Sequence, residues 1–153
     1  MVARLRVCGG AKEDGLERSL NGIRILVVDD QDDARDLLRT VLQQAGAEVR
    51  AVSSSAEARE VFPRFRPDVL VSDIAMPREG GYELIRKIRS LGVEEGGAIP
   101  AVAVTAYAMP EDRALALAAG YDVHLAKPLV PMRLIEALAR LVTERRGSGS
   151  RES

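Results

Sequence analysis

The sequence has little of what marks a secreted, membrane-embedded or strongly charged protein. It contains one cysteine, Cys8, so no disulfide can form within the chain, and a reducing cytoplasm is the expected location. No apolar run approaches the roughly 20 residues that cross a bilayer, and the first ten residues lack a signal-peptide core. The 22 basic and 23 acidic residues nearly cancel, which gives no electrostatic case for nucleic acid or membrane as a partner.

What is present fits one soluble α/β domain. The chain has 153 residues, of which 46% are hydrophobic and 29% charged, enough for one sizeable core. Residues 1–21 and 144–153 are rich in small and charged residues without sustained periodicity. We therefore expect an N-terminal linker or arm over 1–21, a single domain over 22–143, and a flexible C-terminal tail over 144–153.

Within that domain, short β-like runs alternate with segments of helical periodicity. The runs lie at residues 23–28, 48–52, 68–72, 101–104 and 121–125. Ser54 with Glu57 forms a capping-box pattern, and Pro110 and Gly120 bracket another helix. Five β-α units in strict alternation predict a doubly wound parallel sheet with helices on both faces. In such a sheet the functional site lies at the carboxyl ends of the strands.

Polar residues follow these runs at the expected places. Asp29 and Asp30 follow the first strand, Asp73 the third, Thr105 the fourth and Lys127 the fifth. Carboxylates brought together repel unless a cation neutralises them, and Mg²⁺ is a hard cation that prefers oxygen ligands. An aspartate can also act as a phosphoryl nucleophile, with the lysine and hydroxyl stabilising the transferred oxygens. Asp32 and Asp33 are expected only to stabilise the first turn of a helix.

The same stretches resemble the receiver domain of two-component response regulators, of the chemotaxis-regulator kind. The resemblance rests on Leu-Val-Val-Asp-Asp, on Val-Leu-Val-Ser-Asp-Ile-Ala-Met-Pro followed by Gly81, and on Val-Thr-Ala and Lys-Pro. It covers nearly all of residues 22–143. It implies a flavodoxin-like (βα)5 fold with strand order 2-1-3-4-5 and a cis peptide before the proline of Lys-Pro.

The resemblance also implies a role for each polar residue at the strand ends. Asp73 would be the phosphoacceptor, with Thr105 and Lys127 binding phosphoryl oxygens. The Mg²⁺ ligands would comprise Asp73 itself, Asp30 directly, Asp29 through water, and the backbone carbonyl of Ala75.

Partners follow from the same resemblance. The phosphoryl donor would be a phosphohistidine on a sensor histidine kinase or phosphotransfer protein, and output would pass through contacts with a downstream protein. The face formed by the fourth helix, fifth strand and fifth helix would serve such contacts, including a homodimer. The chain looks most like the C-terminal receiver of a hybrid sensor kinase. Two hypotheses stay open, a stand-alone regulator and a receiver excised from such a kinase.

Three residues depart from the pattern of the family. His124 stands where a switching Tyr or Phe is usual, and it is either a modified switch or a half-exposed strand-end residue. Ala75 is small and Tyr107 is bulky at two positions that modulate kinetics in the family.

The residues at the strand ends disfavour several other functions. A haloacid-dehalogenase-like phosphatase needs an aspartate where Ala75 stands, and Asp29 and Asp30 would repel the phosphate of FMN in a flavodoxin. No G-x-G-x-x-G follows a strand, which disfavours a dinucleotide domain. The remaining alternative is a pseudo-receiver, a protein-interaction module that never takes phosphate.

Overall fold

The computed structural model describes residues 19–76, 78–106 and 109–152, with backbone only for 145–152. The strands are β1 (Arg24–Val28), β2 (Glu48–Val52), β3 (Val69–Asp73), β4 (Ala101–Thr105) and β5 (Val123–Ala126). The helices are α1 (Asp32–Gln44), α2 (Ser55–Phe65), α3 (Gly81–Arg89), α4 (Pro110–Ala119) and α5 (Pro131–Glu152), with a 3-10 turn at Val93–Glu95. Among the described residues no helix is long and apolar enough to span a membrane.

The five strands form one parallel sheet in the order β2-β1-β3-β4-β5. The predicted flavodoxin-like fold is therefore confirmed. The strand order reverses at β1, so the chain leaves β1 and β3 toward opposite sides and a crevice opens at their carboxyl ends. Val28 pairs with Ser72 in the register of these two strands, which brings the residues that follow them, Asp29 and Asp73, side by side.

Two hydrophobic cores cover the two faces of the sheet. Side chains of α2, α3 and α4, including Phe62, Leu84 and Ala116, form one core. Side chains of α1 and α5, including Leu42 and Leu138, form the other. Because β3 and β4 are buried along their whole length, their sequences read as continuous apolar runs rather than alternating ones. The rigid double-sided packing fixes the strand ends that carry the polar residues.

Several predicted boundaries differ from the structure, most of the strand ends by a single residue. Leu20 is fully buried and its N–H bonds Ala45 O at 3.0 Å, so the packed unit reaches into the segment assigned to the arm. The fifth strand begins at Val123 rather than 121, because Tyr121 N still bonds Ala116 O at the end of α4. The last helix was expected to end at 143 but continues to Glu152.

The extension of α5 has a simple physical basis. Once a helix is nucleated, each added residue contributes a hydrogen bond, and residues 144–152 contain no proline to stop it. The glycines of that segment lower helix propensity by about 1 kcal/mol each without forbidding the helix. The first 18 residues, which make up most of the expected arm, lie outside the described residues.

Candidate functional site

The predicted carboxylates converge at the carboxyl ends of β1 and β3. Asp29 is 1% exposed and Asp73 is 6% exposed, whereas Asp30 points to solvent. One carboxylate oxygen from each of the three lies within 4.8 Å of the others. Two of these acidic groups are therefore buried by the fold, and the third closes the cluster from the solvent side.

Lys127 connects the two buried carboxylates. Its Nζ lies 3.2 Å from Asp29 Oδ2 and 3.3 Å from Asp73 Oδ2. Its backbone N–H bonds the carbonyl of Thr105 at 2.8 Å, and Thr105 ends β4 with its side chain fully buried. The Lys127–Pro128 peptide is cis, as the resemblance implied. The lysine, hydroxyl and carboxylates thus share one edge of the sheet.

Backbone groups orient the two buried carboxylates. Gln31 N–H donates to Asp29 Oδ1 at 2.9 Å, and Ala75 N–H donates to Asp73 Oδ1 at 3.1 Å. In both residues the second oxygen, Oδ2, contacts Lys127. Each carboxylate is therefore held from two sides, with its position fixed before any ligand arrives.

The charges of the cluster are incompletely balanced. Burial raises the pKa of the Asp73 carboxyl, and Asp29 raises it further, against the opposing effects of Lys127 and the Ala75 N–H. Burial acts to lower the pKa of Lys127, but Asp29 and Asp73 outweigh it and the net pKa is raised. Lys127 is thus held as a cation, while the ionised form of Asp73 is disfavoured.

This donor set fits Mg²⁺. Three carboxylates supply hard oxygen ligands, and Mg²⁺ is usually held by few carboxylates plus waters and phosphate oxygens. A divalent cation would also relieve the repulsion that one lysine leaves uncompensated. Receiver-type phosphoryl transfer needs the same two elements, an aspartate nucleophile and cations beside it.

Comparison with known proteins agrees with this geometry. The family profile of the response regulator receiver domain matches residues 25–139. The chain belongs to this family. A receiver domain is a phosphoacceptor module of two-component signalling, and the comparisons favour that function over a pseudo-receiver.

Two curated relatives illustrate the range of the receiver family. An uncharacterised 14.6 kDa protein of Leptolyngbya boryana is 46% identical over 118 residues, covering 77% of this chain and 88% of that protein. The transcriptional regulatory protein GltR of Pseudomonas aeruginosa is 36% identical, covering 81% of this chain but 50% of GltR. This chain therefore spans half the length of that regulator.

Solved receiver structures show the same fold. The chemotaxis protein CheY4 of Vibrio cholerae is 30% identical with a TM-score of 0.72, covering 78% of this chain and 98% of that one. The receiver domain of the sensor histidine kinase PA1611 of Pseudomonas aeruginosa is 32% identical with a TM-score of 0.72, covering 80% and 98%. In the PA1611 receiver a magnesium ion is coordinated in the active-site cleft.

Gly81 of the receiver motif is explained by close packing. A Cβ at this position would lie 2.6 Å from Asp73 O and 2.8 Å from Ile74 Cα. The Gly81 carbonyl accepts a 2.8 Å hydrogen bond from the Tyr121 hydroxyl, whose pKa burial raises well above its ordinary value. Sequence reasoning missed Tyr121, because position 121 was assigned to the start of the fifth strand.

The remaining predicted residues lie apart or outside the described residues. His124 is half-buried on β5 and lines a groove of about 500 Å³ with Arg113 and Leu117 of α4. Its role as a switch stays a prediction, and Tyr107 lies outside the described residues. Asp32 and Asp33 are in the first turn of α1, as expected.

Proposed function

We propose that this chain is a Mg²⁺-dependent phosphoacceptor in which Asp73 receives a phosphoryl group from a phosphohistidine. The observation that carries the proposal is the contact of Lys127 Nζ with the buried Asp73 Oδ2 at 3.3 Å inside a cluster of three carboxylates. Asp29, Asp30, Asp73 and the carbonyl of Ala75 would hold the metal. The Mg²⁺ ion supplies neutralisation of the phosphoryl oxygens when bound.

The residues of this chain have distinct roles in the transfer. A carboxylate oxygen of Asp73 attacks phosphorus, the P–N bond to the donor imidazole breaks, and the nitrogen keeps its electron pair. The product is an acyl phosphate. Lys127 and the Thr105 hydroxyl bind the phosphoryl oxygens, which carry negative charge throughout. Positioning and charge stabilisation account for the chemistry, so the chain promotes its own phosphorylation.

The partners are proposed from the family and the surface. The donor is a sensor histidine kinase or a phosphotransfer protein in the cytoplasm, and a downstream protein reads the phosphorylated state. On α4 and α5, Leu115, Leu117 and Met132 are exposed apolar side chains. They make the α4–β5–α5 face the candidate for these contacts or for a homodimer. Either a stand-alone regulator or a hybrid kinase could carry this domain.

Labelling with acetyl phosphate, and binding of beryllofluoride, test the proposal. Asp73→Asn should abolish labelling because an amide cannot form the acyl phosphate, and Asp30→Ala should abolish Mg²⁺-dependent labelling because it removes a direct metal ligand. Asp33→Asn is the matched control, since it removes an exposed aspartate from the nearby first turn of α1. Labelling of Asp73→Asn at the wild-type level would move the acceptor to another residue and overturn the assignment.

A further inference from the structure

The loop that carries Ala75 is held mainly by contacts at its two ends. This β3–α3 loop comprises residues 74–80, of which Pro77 lies outside the described residues. Gly81 N–H bonds Ile74 O at 2.9 Å and closes the loop at its base. Ala75 and Arg78 are exposed, and Arg78 adopts a left-handed conformation with φ of 65°. A non-glycine residue in this region is disfavoured, so surrounding contacts must maintain the loop conformation.

Glu79 provides the strongest of these contacts. Its carboxylate accepts hydrogen bonds from Arg59 Nε at 3.0 Å, Arg59 Nη2 at 3.1 Å and Lys87 Nζ at 2.7 Å. The Glu79 side chain is 17% exposed, and the bond from Lys87 lowers its pKa, with Arg59 acting in the same direction. Arg59 belongs to α2 and Lys87 to α3, so this one carboxylate ties the loop to both flanking helices.

Ser55 holds the backbone of the same loop residue. Its side chain is buried at 2% exposure, and its hydroxyl donates to Glu79 O at 2.9 Å. Ser55 and Arg59 are four residues apart and share one face of α2. Helix α2 therefore donates hydrogen bonds to both the main chain and the side chain of Glu79.

We propose that Ser55, Arg59 and Lys87 act through Glu79 as positioning residues that set the Mg²⁺ affinity of the site. They hold the β3–α3 loop, and with it the Ala75 carbonyl, beside the carboxylates before the metal binds. Partners that orient a ligand in this way typically contribute about 10- to 100-fold to metal affinity. The inference rests on the proposed function, because Ala75 is a metal ligand only if Mg²⁺ binds there.

Mg²⁺ titration followed by NMR of the backbone amides tests this inference without phosphorylation. Glu79→Ala and Ser55→Ala should each raise the Kd for Mg²⁺ by about tenfold, the lower end of the expected range. The matched control is Arg39→Ala, which breaks the exposed Arg39–Asp36 ion pair on α1 (2.6 Å) and should leave the Kd unchanged. Arg59→Lys keeps the charge but loses the bidentate hydrogen bond to Glu79, so its Kd for Mg²⁺ should lie between those of wild type and Glu79→Ala.

Two further measurements separate positioning from folding. Thermal unfolding in EDTA should change little in Arg59→Ala, whose side chain is 43% exposed, because exposed ion pairs contribute little to stability. Saturating Mg²⁺ should restore acetyl phosphate labelling in Glu79→Ala, since only affinity is impaired. Loss of labelling that saturating Mg²⁺ does not restore would overturn the inference.

The outcomes also distinguish the inference from the proposed function. If wild type binds Mg²⁺, Asp30→Ala does not, and both Glu79→Ala and Ser55→Ala bind as wild type does, only the inference fails. If wild type and Asp30→Ala respond to Mg²⁺ alike, the metal site itself is wrongly assigned and both fail. If the Glu79→Ala and Ser55→Ala titrations shift and the Arg39→Ala titration does not, the positioning role is supported.

Discussion

At the carboxyl end of the sheet, charged groups are crowded and unevenly paired. Asp29 and Asp73 are both buried, and the amine of Lys127 contacts both of them. Asp30 adds a third carboxylate within 4.8 Å. Burying like charges together opposes folding, so this end of the molecule is arranged for a ligand rather than for stability.

At the amino end of the sheet, one arginine donates hydrogen bonds to three carbonyls and a carboxylate. Arg89, at the end of α3, donates to the carbonyls of Gly97, Ile99 and Gly120 at 2.6–3.0 Å. It also pairs with Asp122 Oδ2 at 3.1 Å, and Asp122 accepts from Ala101 N at 2.8 Å. These hydrogen bonds connect the segments that lead into β4 and β5 to α3.

The two ends of the sheet therefore differ in role: the amino end contributes to stability, and the carboxyl end carries the functional site. Buried polar groups stabilise when every partner is present and destabilise when pairing is incomplete. Proteins tend to break local rules of stability at functional sites and to satisfy them elsewhere. Substitutions at the two ends should therefore have opposite effects on stability, and only those at the carboxyl end should affect Mg²⁺ binding.

The largest effect on stability is expected from Arg89→Ala. It removes several charge-assisted hydrogen bonds and leaves carbonyls without a donor, so we expect a loss of about 2–3 kcal/mol in the free energy of unfolding. Urea denaturation measures it, with the exposed Arg86→Ala of the same helix as control. The Mg²⁺ Kd should stay at the wild-type value, and a weakened Kd would contradict the separation of the two ends.

We expect Asp73→Asn to raise the free energy of unfolding in metal-free buffer, by less than Arg89→Ala lowers it. Because the pKa of Asp73 is raised in the folded state, its ionised form destabilises the fold at neutral pH. The neutral amide should therefore raise the Tm in EDTA, at roughly 2–4 °C for each kcal/mol in a chain of this length. Asp33→Asn serves as the control, and a lower Tm for Asp73→Asn would show that its contact with Lys127 outweighs burial.

The difference in stability between Asp73→Asn and wild type should depend on pH, because protonation of Asp73 is linked to folding. Between the unfolded and the raised folded pKa of Asp73, the folded state binds more protons, so stability falls as pH rises. The stabilisation by Asp73→Asn should therefore be fully present above the folded pKa and disappear below the unfolded value, near 4. Denaturation in EDTA at a series of pH values checks this, and a difference that does not change with pH would exclude Asp73 ionisation as its cause.

The predictability of the two ends from sequence also differs. Asp29, Asp73 and Lys127 could be predicted because each stands at or just after the end of a strand, and parallel strands bring their carboxyl ends together. Arg89 could not, because its partners lie 8 to 33 residues away and are mostly backbone carbonyls. Glu79 likewise pairs with Arg59 across 20 residues. Periodicity places such side chains on a helix or loop but does not identify what they contact.

Local signals predicted the elements better than their ends. The Ser54 cap is confirmed by the bond from Glu57 N at 3.1 Å, although the Glu57 carboxylate returns to Ser53 N rather than to Ser54 N. The extension of α5 to Glu152 was missed, because composition alone favoured a tail. Hydrogen bonds at helix ends depend on backbone geometry that neighbouring elements determine.

The smallest expected effect concerns the lifetime of the phosphoryl group on Asp73. It tests the function of the carboxyl end of the sheet and should leave the free energy of unfolding unchanged. Acyl phosphate is lost when water attacks phosphorus and the bond to the Asp73 oxygen breaks, restoring the carboxylate. Ala75 is exposed beside Asp73 and cannot orient that water as a polar side chain could. Tyr107, outside the described residues, is expected to cover part of the approach. We therefore expect a long-lived phosphoryl group that decays several-fold faster in Ala75→Asn and Tyr107→Ala, and unchanged in the apolar control Ala75→Val. Decay after donor removal measures this, and slower decay in both the Ala75→Asn and Tyr107→Ala variants would contradict it.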